Sequence, residues 1–114
     1  MKPQYLQTKM GKSHIPKDGE PVCGRKGNYS QAELIFWPMC DRCWELSHQD
    51  RQAVTDIFNR DNYEWGVIWH NHQNDFEGWQ AAVLALYHKP EEWTDYELAL
   101  FGIQLKDTWT DWQD

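Results

Sequence analysis

Residues 12–43 read KSHIPKDGEPVCGRKGNYSQAELIFWPMCDRC and hold all three cysteines of the chain. The side chains suited to a metal follow the spacing His14-x(8)-Cys23-x(16)-Cys40-x(2)-Cys43. A CxxC turn lets two thiolates reach one ion, and a second pair from a distant loop completes the tetrahedron that structural zinc requires. The spacing therefore predicts a structural Zn²⁺ site with these four residues as its ligands.

Alternatives remain open for this stretch. His48 follows the CxxC closely in sequence and can replace His14 as the fourth ligand. The CxxC can instead be a redox dithiol, but such a pair normally begins a helix within a βαβ unit, and the residues before Cys40 offer one strand and no such unit. The spacing of the ligand pairs favours zinc over a dithiol and over a chance pair.

The segment around the ligands has little apolar sequence from which to build a core of its own. Metal binding would then contribute most of its folding free energy, about 10 kcal/mol as in small zinc peptides. Three thiolates on one divalent ion also leave excess negative charge, which the neighbouring cations would offset. These cations are Lys12, Lys17, Arg25, Lys26 and Arg42.

The ligand motif resembles the zinc module of small phage and bacterial proteins. The resemblance covers residues 12–43, about a third of the chain, and implies a structural zinc site in a protein of phage or mobile-element type. It implies nothing about residues 44–114. The matching residues are Lys12-Ser13-His14, Cys23-Gly24 and Cys40-Asp41-Arg42-Cys43.

Length and composition bound the organisation of the chain. A chain of 114 residues, with 40% hydrophobic and 15% aromatic residues, can build one compact domain and excludes a multidomain enzyme. We expect residues 1–44 to form the zinc-binding module and residues 45–114 to form an acidic, Trp-rich helical body. The predicted class is α+β, with a small zinc-ribbon-like N-terminal module packed on about three helices and a short strand.

The pattern of apolar residues predicts the individual elements. Branched and aromatic residues over 32–37 and 63–70 predict strands, the second of them after a break at Asp61-Asn62. Apolar stripes at helical spacing predict helices over about 48–60, 76–89 and 95–107. Asp75 and Thr94 are predicted to cap the last two of these helices.

The net charge of −7 divides unevenly along the chain. Residues 1–43 hold seven basic and four acidic side chains, a balance of +3, whereas residues 44–114 hold four basic and fourteen acidic ones, a balance of −10. A polyanionic body repels nucleic acid and favours basic partners. The distribution therefore argues against a stand-alone DNA-binding protein and for a protein partner with a basic surface.

Of the eight Trp residues, Trp37 and Trp44 bracket the CxxC and the other six form two groups. Trp79 lies in an apolar helical stripe, and Trp65 and Trp69 share one face of the predicted strand, so we expect these three in the core. The other group lies among carboxylates where no core pattern holds it, a composition typical of an anchor for a basic protein surface. The predicted partner-binding residues are Glu91, Glu92, Trp93, Asp95, Asp107, Trp109, Asp111 and Trp112.

No complete catalytic constellation is present in the sequence. His70-Asn71-His72 lies between a predicted strand and a predicted helix, as in metal-dependent nucleases of the ββα type. A nuclease needs a basic surface for its substrate, however, and this half of the chain is strongly acidic. We therefore expect a non-enzymatic protein and keep the nuclease as the least favoured alternative.

Together these features predict a zinc-stabilised inhibitor of a basic, nucleic-acid-handling host protein, of anti-CRISPR type and acting in part as a DNA mimic. No apolar segment predicts a signal peptide or a membrane span, so the host cytoplasm is the expected compartment. The second alternative is a nucleic-acid-binding zinc module. Its phosphate contacts would be Lys9, Lys12, Lys17, Arg25, Lys26 and Arg42.

Overall fold

Short strands precede a helical body in this protein, as shown by a computed structural model that describes residues 2–9, 11–33, 38–87 and 93–113. The α+β class predicted from the sequence is confirmed. Within the described residues there are five strands, β1 (Tyr5–Gln7), β2 (Ser13–His14), β3 (Pro16–Lys17), β4 (Glu20–Pro21) and β5 (Ser30–Ala32). The four helices are α1 (Asp41–Leu46), α2 (His48–His70), α3 (Phe76–Ala85) and α4 (Asp95–Trp112).

The strands form two small antiparallel sheets. In the first, the order is β2-β1-β5, with Leu6 opposite His14 and Tyr5 opposite Ala32. The second is the β3–β4 hairpin. Of the two described residues in the strand predicted over 32–37, Ala32 belongs to β5 and Glu33 does not; residues 34–37 lie outside the described residues.

Helix α2 runs without interruption through the region predicted as a strand over 63–70, so that prediction was wrong. Trp65 and Trp69 are four residues apart, and a spacing of four places two side chains on one face of a helix as well as of a strand. The predicted break survives as a kink at Asp61, where φ is −110° and ψ is 15°. Tyr87 donates a hydrogen bond to the Asp61 carboxylate at 2.9 Å, which joins the kink to the chain that follows α3.

Both predicted helix caps are confirmed. The Asp75 carboxylate accepts a hydrogen bond from the Gly78 N–H at 3.0 Å, and the Thr94 hydroxyl accepts one from the Glu97 N–H at 3.1 Å. Helix α3 ends at Ala85, earlier than predicted, and residues 88 and 89 of its predicted span lie outside the described residues.

Helix α4 continues to Trp112, whereas the sequence predicted its end near residue 107. The residues after the predicted end are therefore helical as far as Trp112. The reason is tertiary packing, because Trp109 and Trp112 lie against the ring of Trp79 with centroid distances of 5.5 and 5.7 Å. Such contacts stabilise a last helical turn that its acidic sequence alone does not favour.

The hydrophobic core lies between the three long helices and reaches the strands. Trp65 and Trp79 are fully buried at its centre, and Tyr5 and Ile15 of the N-terminal segment belong to the same cluster. The Tyr5 hydroxyl donates a 2.7 Å hydrogen bond to the carbonyl of Ala99 and so ties β1 to α4. In the described part of the chain, no helix is long and apolar enough to cross a membrane.

We expect Gly102→Ala to destabilise the protein by about 1–3 kcal/mol, the usual cost of overpacking. A Cβ atom at Gly102 would run into the Tyr5 hydroxyl and lie 2.9 Å from Cβ of Pro3. This clash outweighs the helix propensity of about 1 kcal/mol that Ala gains over Gly. Urea unfolding measures the difference in the free energy of unfolding.

The matched control is Gly66→Ala in α2. A Cβ atom there would approach the Trp112 ring no closer than 3.9 Å, an ordinary contact, so the gain in helix propensity is kept. This variant should be more stable than the parent protein by up to about 1 kcal/mol. Equal effects of the two substitutions would contradict the close packing of β1 against α4.

Candidate metal centre

The structure brings together the four side chains that the ligand spacing singled out. His14 lies in β2, Cys23 in the turn after β4, Cys40 directly before α1, and Cys43 within α1. One ligand atom from each lies within 4.8 Å of all the others. His14 Nδ1 is 3.6 Å from Cys23 Sγ and 3.5 Å from Cys43 Sγ. The four residues are therefore positioned to bind a metal ion.

Backbone hydrogen bonds hold these ligands close to one another. Cys40 N–H donates to the Ser13 carbonyl at 2.8 Å, which fixes the start of α1 beside β2. The turn that carries Cys23 closes through a 2.8 Å bond from Gly24 N–H to the Pro21 carbonyl. Gly24 has φ of +75°, a left-handed conformation that residues with a Cβ rarely adopt. This turn therefore depends on a glycine directly after the ligand.

Burial shapes the chemistry of the two innermost ligands. His14 is 1% exposed and Cys43 is fully buried. Burial lowers the pKa of His14, and the positive charges of Lys12 and Arg25 lower it further. The imidazole is thus held neutral, the form in which a ring nitrogen can donate its lone pair to a metal.

The two cysteines of the CxxC differ in acidity. Burial raises the pKa of Cys43 to about 12. Burial also acts to raise the pKa of Cys40, but hydrogen bonds from the backbone N–H groups of Cys43 and Arg42 outweigh it and lower the pKa below its usual value. The first turn of α1 therefore favours the thiolate at Cys40, which is the form that binds metals.

Helix α1 corrects one expectation about the CxxC. The pair lies at the start of a short helix, where the sequence predicted a turn. A helix start is also the usual position of a redox dithiol, but here His14 and Cys23 lie against the pair and complete a four-ligand cluster. His48 is an exposed residue outside that cluster, so the structure places His14, not His48, beside the cysteines.

Tyr29 is a contact residue that the sequence did not indicate. Its ring packs edge-on against His14, with centroids 5.1 Å apart and an interplanar angle of 71°. The Tyr29 hydroxyl donates a 2.6 Å hydrogen bond to the Arg25 carbonyl, which fixes the loop between Cys23 and β5. No spacing rule links a tyrosine to the histidine it covers, since the two are joined only through the folded loop.

His70 and His72 lie at the end of α2 and in the turn after it, not on a strand as predicted. His72 Nδ1 lies 3.4 Å from the Asp75 carboxylate, the group that caps α3. Within the described ranges, neither histidine lies in a cluster of possible metal ligands, whereas His14 does. The strand that was predicted to precede the two histidines is helical, so the arrangement on which the nuclease alternative depended is not formed.

The Trp residues predicted to bind a partner are packed into the protein. Trp109 and Trp112 are half-buried against the core, and Trp93 packs edge-on against Phe101 at 5.2 Å. The expectation that no core holds these rings was therefore wrong. As partner-binding residues they remain a prediction.

The predicted partner-binding carboxylates have different surroundings. Asp95 accepts hydrogen bonds from the N–H groups of Asp18 and Gly19, at 2.9 and 2.7 Å, and so anchors the β3–β4 turn to α4. Asp107 and Asp111 are exposed on the last turns of α4. Glu91 and Glu92 lie outside the described residues.

No protein-family model, curated protein or solved structure matches this chain. The resemblance to phage and bacterial zinc proteins thus rests on the ligand spacing alone. Fold and site together define a small α+β protein with a cluster of three cysteines and one histidine placed to bind a metal ion.

Proposed function

We propose that this chain is a zinc-stabilised, non-enzymatic protein that binds and inhibits a basic, nucleic-acid-handling host protein. The observation that carries the zinc assignment is the mutual approach of the four ligand atoms to within 4.8 Å. The basic partner is supported by the charge on the helical body, and the inhibition by the resemblance of the ligand motif to phage-type zinc proteins.

The distances from His14 to two of the sulfurs fit tetrahedral zinc. With Zn–S near 2.3 Å and Zn–N near 2.0–2.1 Å, tetrahedral ligands place the nitrogen and each sulfur about 3.5–3.6 Å apart. His14 Nδ1 lies at 3.6 and 3.5 Å from the sulfurs of Cys23 and Cys43. Four protein ligands leave no open position for a substrate, which is the arrangement of a structural site rather than a catalytic one.

The ion would join three segments that are distant in the sequence. It would link β2, the turn after β4 and the start of α1, all of which are short elements. Strands of two or three residues provide few ladder hydrogen bonds, so the ion would add to the contacts with α4 that Tyr5 and the β3–β4 turn already make. The role proposed for zinc is therefore to fix the N-terminal region against the helical body.

The proposed partner-binding surface is an acidic face at the end of α4, consisting of Asp107 and Asp111, both of which are exposed. At 100° and 1.5 Å per residue these two positions are about 40° apart around the helix and about 6 Å apart along it. Carboxylates that share one helix face are the minimum that a mimic of a phosphate array requires. Together with the net charge of −7, this face favours a partner with a basic surface.

Ionised Asp107 carries a cost to the fold. Although the residue is exposed, partial desolvation of its carboxyl raises the pKa, and the charge of Asp111, one helical turn away, raises it further. A raised pKa means that the folded protein disfavours the ionised form, so ionised Asp107 lowers stability at neutral pH. Residues that destabilise the fold in this way are often kept for function.

We expect Asp107→Asn to increase the free energy of unfolding at pH 7 by a few tenths of a kcal/mol, within the range usual for surface substitutions. Because the folded pKa of Asp107 is raised, the penalty removed by Asn is present above that pKa and disappears as pH falls below the unfolded value. The gain should therefore be found at pH 7 and be absent at about pH 3. Loss of stability at pH 7 would mean that the carboxylate supports the fold.

The partner is tested by affinity capture from bacterial lysate with the zinc-loaded protein. We expect capture of nucleic-acid-binding proteins, weakened by added salt and by added DNA, because opposite charges steer the complex. The double variant Asp107→Asn/Asp111→Asn should capture less than Asp56→Asn/Glu64→Gln, which removes the same charge from α2. If the amount of captured protein does not change with salt, or falls equally in the two variants, the acidic face of α4 is not the binding surface.

A further inference from the structure

The loop over residues 24–29 separates two open cavities on the surface of the N-terminal region. Their volumes are about 610 and 580 Å³, and Tyr29 contributes to the walls of both. Volumes of this size are typical of ligand sites and exceed the needs of a single small ion. The second cavity lies beside the metal centre, since His14 forms part of its wall.

Four cations surround this second cavity, which we call the basic groove: Lys9, Lys12, Arg25 and Lys26. Its wall includes no carboxylate from the described ranges. Among the ion pairs found in the described part of the chain, none involves any of these four side chains. The groove is therefore a concentration of uncompensated positive charge on a chain whose net charge is −7.

The metal centre accounts for only part of this charge. Three thiolates and a neutral histidine on one divalent ion carry a net charge of about −1. A single cation nearby would balance it. The groove has four cations and so keeps an excess of about three positive charges for another anion.

We infer that the basic groove binds the phosphodiester backbone of a single-stranded nucleic acid. Proteins that bind single strands combine a cationic groove that follows the backbone with aromatic rings against which bases pack. The groove supplies both, because Tyr29 places a ring in its wall beside the four cations. Several cations around one groove suit a chain of phosphates rather than one phosphate.

This inference goes beyond the proposed function and stands on different residues. The acidic face of α4 repels a nucleic acid, but an exposed cationic groove acts over about one Debye length, near 8 Å at physiological salt. Local charge, not the total charge of the chain, then decides whether a strand is held. Failure of either proposal leaves the other unaffected, since no residue belongs to both surfaces.

Fluorescence anisotropy tests the inference, with the zinc-loaded full chain and a labelled oligothymidylate of about 12 nucleotides. We expect binding at about 50 mM salt that weakens as salt rises, with a slope of log K against log salt near −3 for four phosphate contacts on a single strand. The double variant Lys9→Glu/Lys26→Glu should lose at least about tenfold in affinity for the oligonucleotide. The slope of log K against log salt for this variant should be smaller in magnitude by about 1.4, because two phosphate contacts are lost.

The matched control is Lys2→Glu/Lys106→Glu, which changes the net charge equally but lies outside the basic groove. This control should bind as the parent protein does, and metal content and near-ultraviolet circular dichroism should be the same in all three proteins. Absence of binding at low salt would overturn the inference, as would equal weakening in both variants. Displacement of the oligonucleotide by thymidine monophosphate at equal phosphate concentration would also overturn it, and would indicate a site for a phosphomonoester.

Discussion

Removal of the metal with a chelator is expected to unfold the region around the ligands and to lower the free energy of unfolding by about 10 kcal/mol. A domain of this size is stable by about 5–15 kcal/mol in total, so much of the chain should unfold with it. The structural reason is that β2, β3 and β4 each consist of two residues. Without the ion, Cys43 would remain as a buried thiol and His14 as a buried imidazole with no common partner.

The loss is measured by circular dichroism and calorimetry before and after chelation, with metal content by elemental analysis. We expect one zinc per chain, and recovery of the folded signal when zinc is returned. Release of bound metal without any change in the spectra would contradict a structural role for the ion. Retention of the fold in a protein that never held metal would do the same.

Substitutions at single ligands separate the metal from general effects of the chelator. Cys40→Ser should lose zinc and lower thermal stability sharply, because serine is a poor ligand for this ion. His48→Ala is the control, since His48 is exposed and lies outside the ligand cluster. It should keep one zinc and the parent stability. Equal zinc loss in the two variants would mean that the fourth ligand has been assigned to the wrong histidine.

Local patterns predicted the candidate ligands because the residue types and their spacing are enough to identify a possible metal site. His14 and Cys40 are 26 positions apart, yet histidine and thiolates form a recognisable donor set without any knowledge of the path between them. The CxxC was expected in a turn because a helix of six residues leaves almost no periodic signal. The caps at Asp75 and Thr94 were predictable for the same local reason as the ligands.

Contacts between distant segments account for the features that the sequence predicted wrongly. A spacing of four residues between Trp65 and Trp69 satisfies a strand and a helix equally, and the partners that decide between them are on α3 and α4. In the sequence Trp112 lies among acidic residues near the C-terminus, with no sign of a core contact. In the structure its ring centroid lies 6.2 Å from that of Phe58 and 5.7 Å from that of Trp79. No local pattern encodes such contacts, because each side chain belongs to a different helix.

Replacing Trp79 with Ala is expected to destabilise the metal-loaded protein by about 3–5 kcal/mol, the range for a large aromatic residue removed from a core. Trp79 is fully buried, and its ring lies within 6.3 Å, centroid to centroid, of four other aromatic rings. Its Nε1 donates a 3.0 Å hydrogen bond to the carbonyl of Trp65 and so joins α3 to α2. The change therefore removes packing from all three long helices at once.

Two further substitutions divide this effect into its parts. Trp79→Phe keeps an aromatic ring but loses the hydrogen bond, and should cost less than Trp79→Ala. Trp93→Ala removes a half-buried ring that packs on Phe101 away from the centre, and should cost about 1–2 kcal/mol. Thermal unfolding of the zinc-loaded variants measures all three. A loss below about 1 kcal/mol for Trp79→Ala would contradict a core centred on this residue.

Zinc content separates this core from the metal centre. Trp79 is not part of the ligand cluster, so Trp79→Ala should still bind one ion while it is folded.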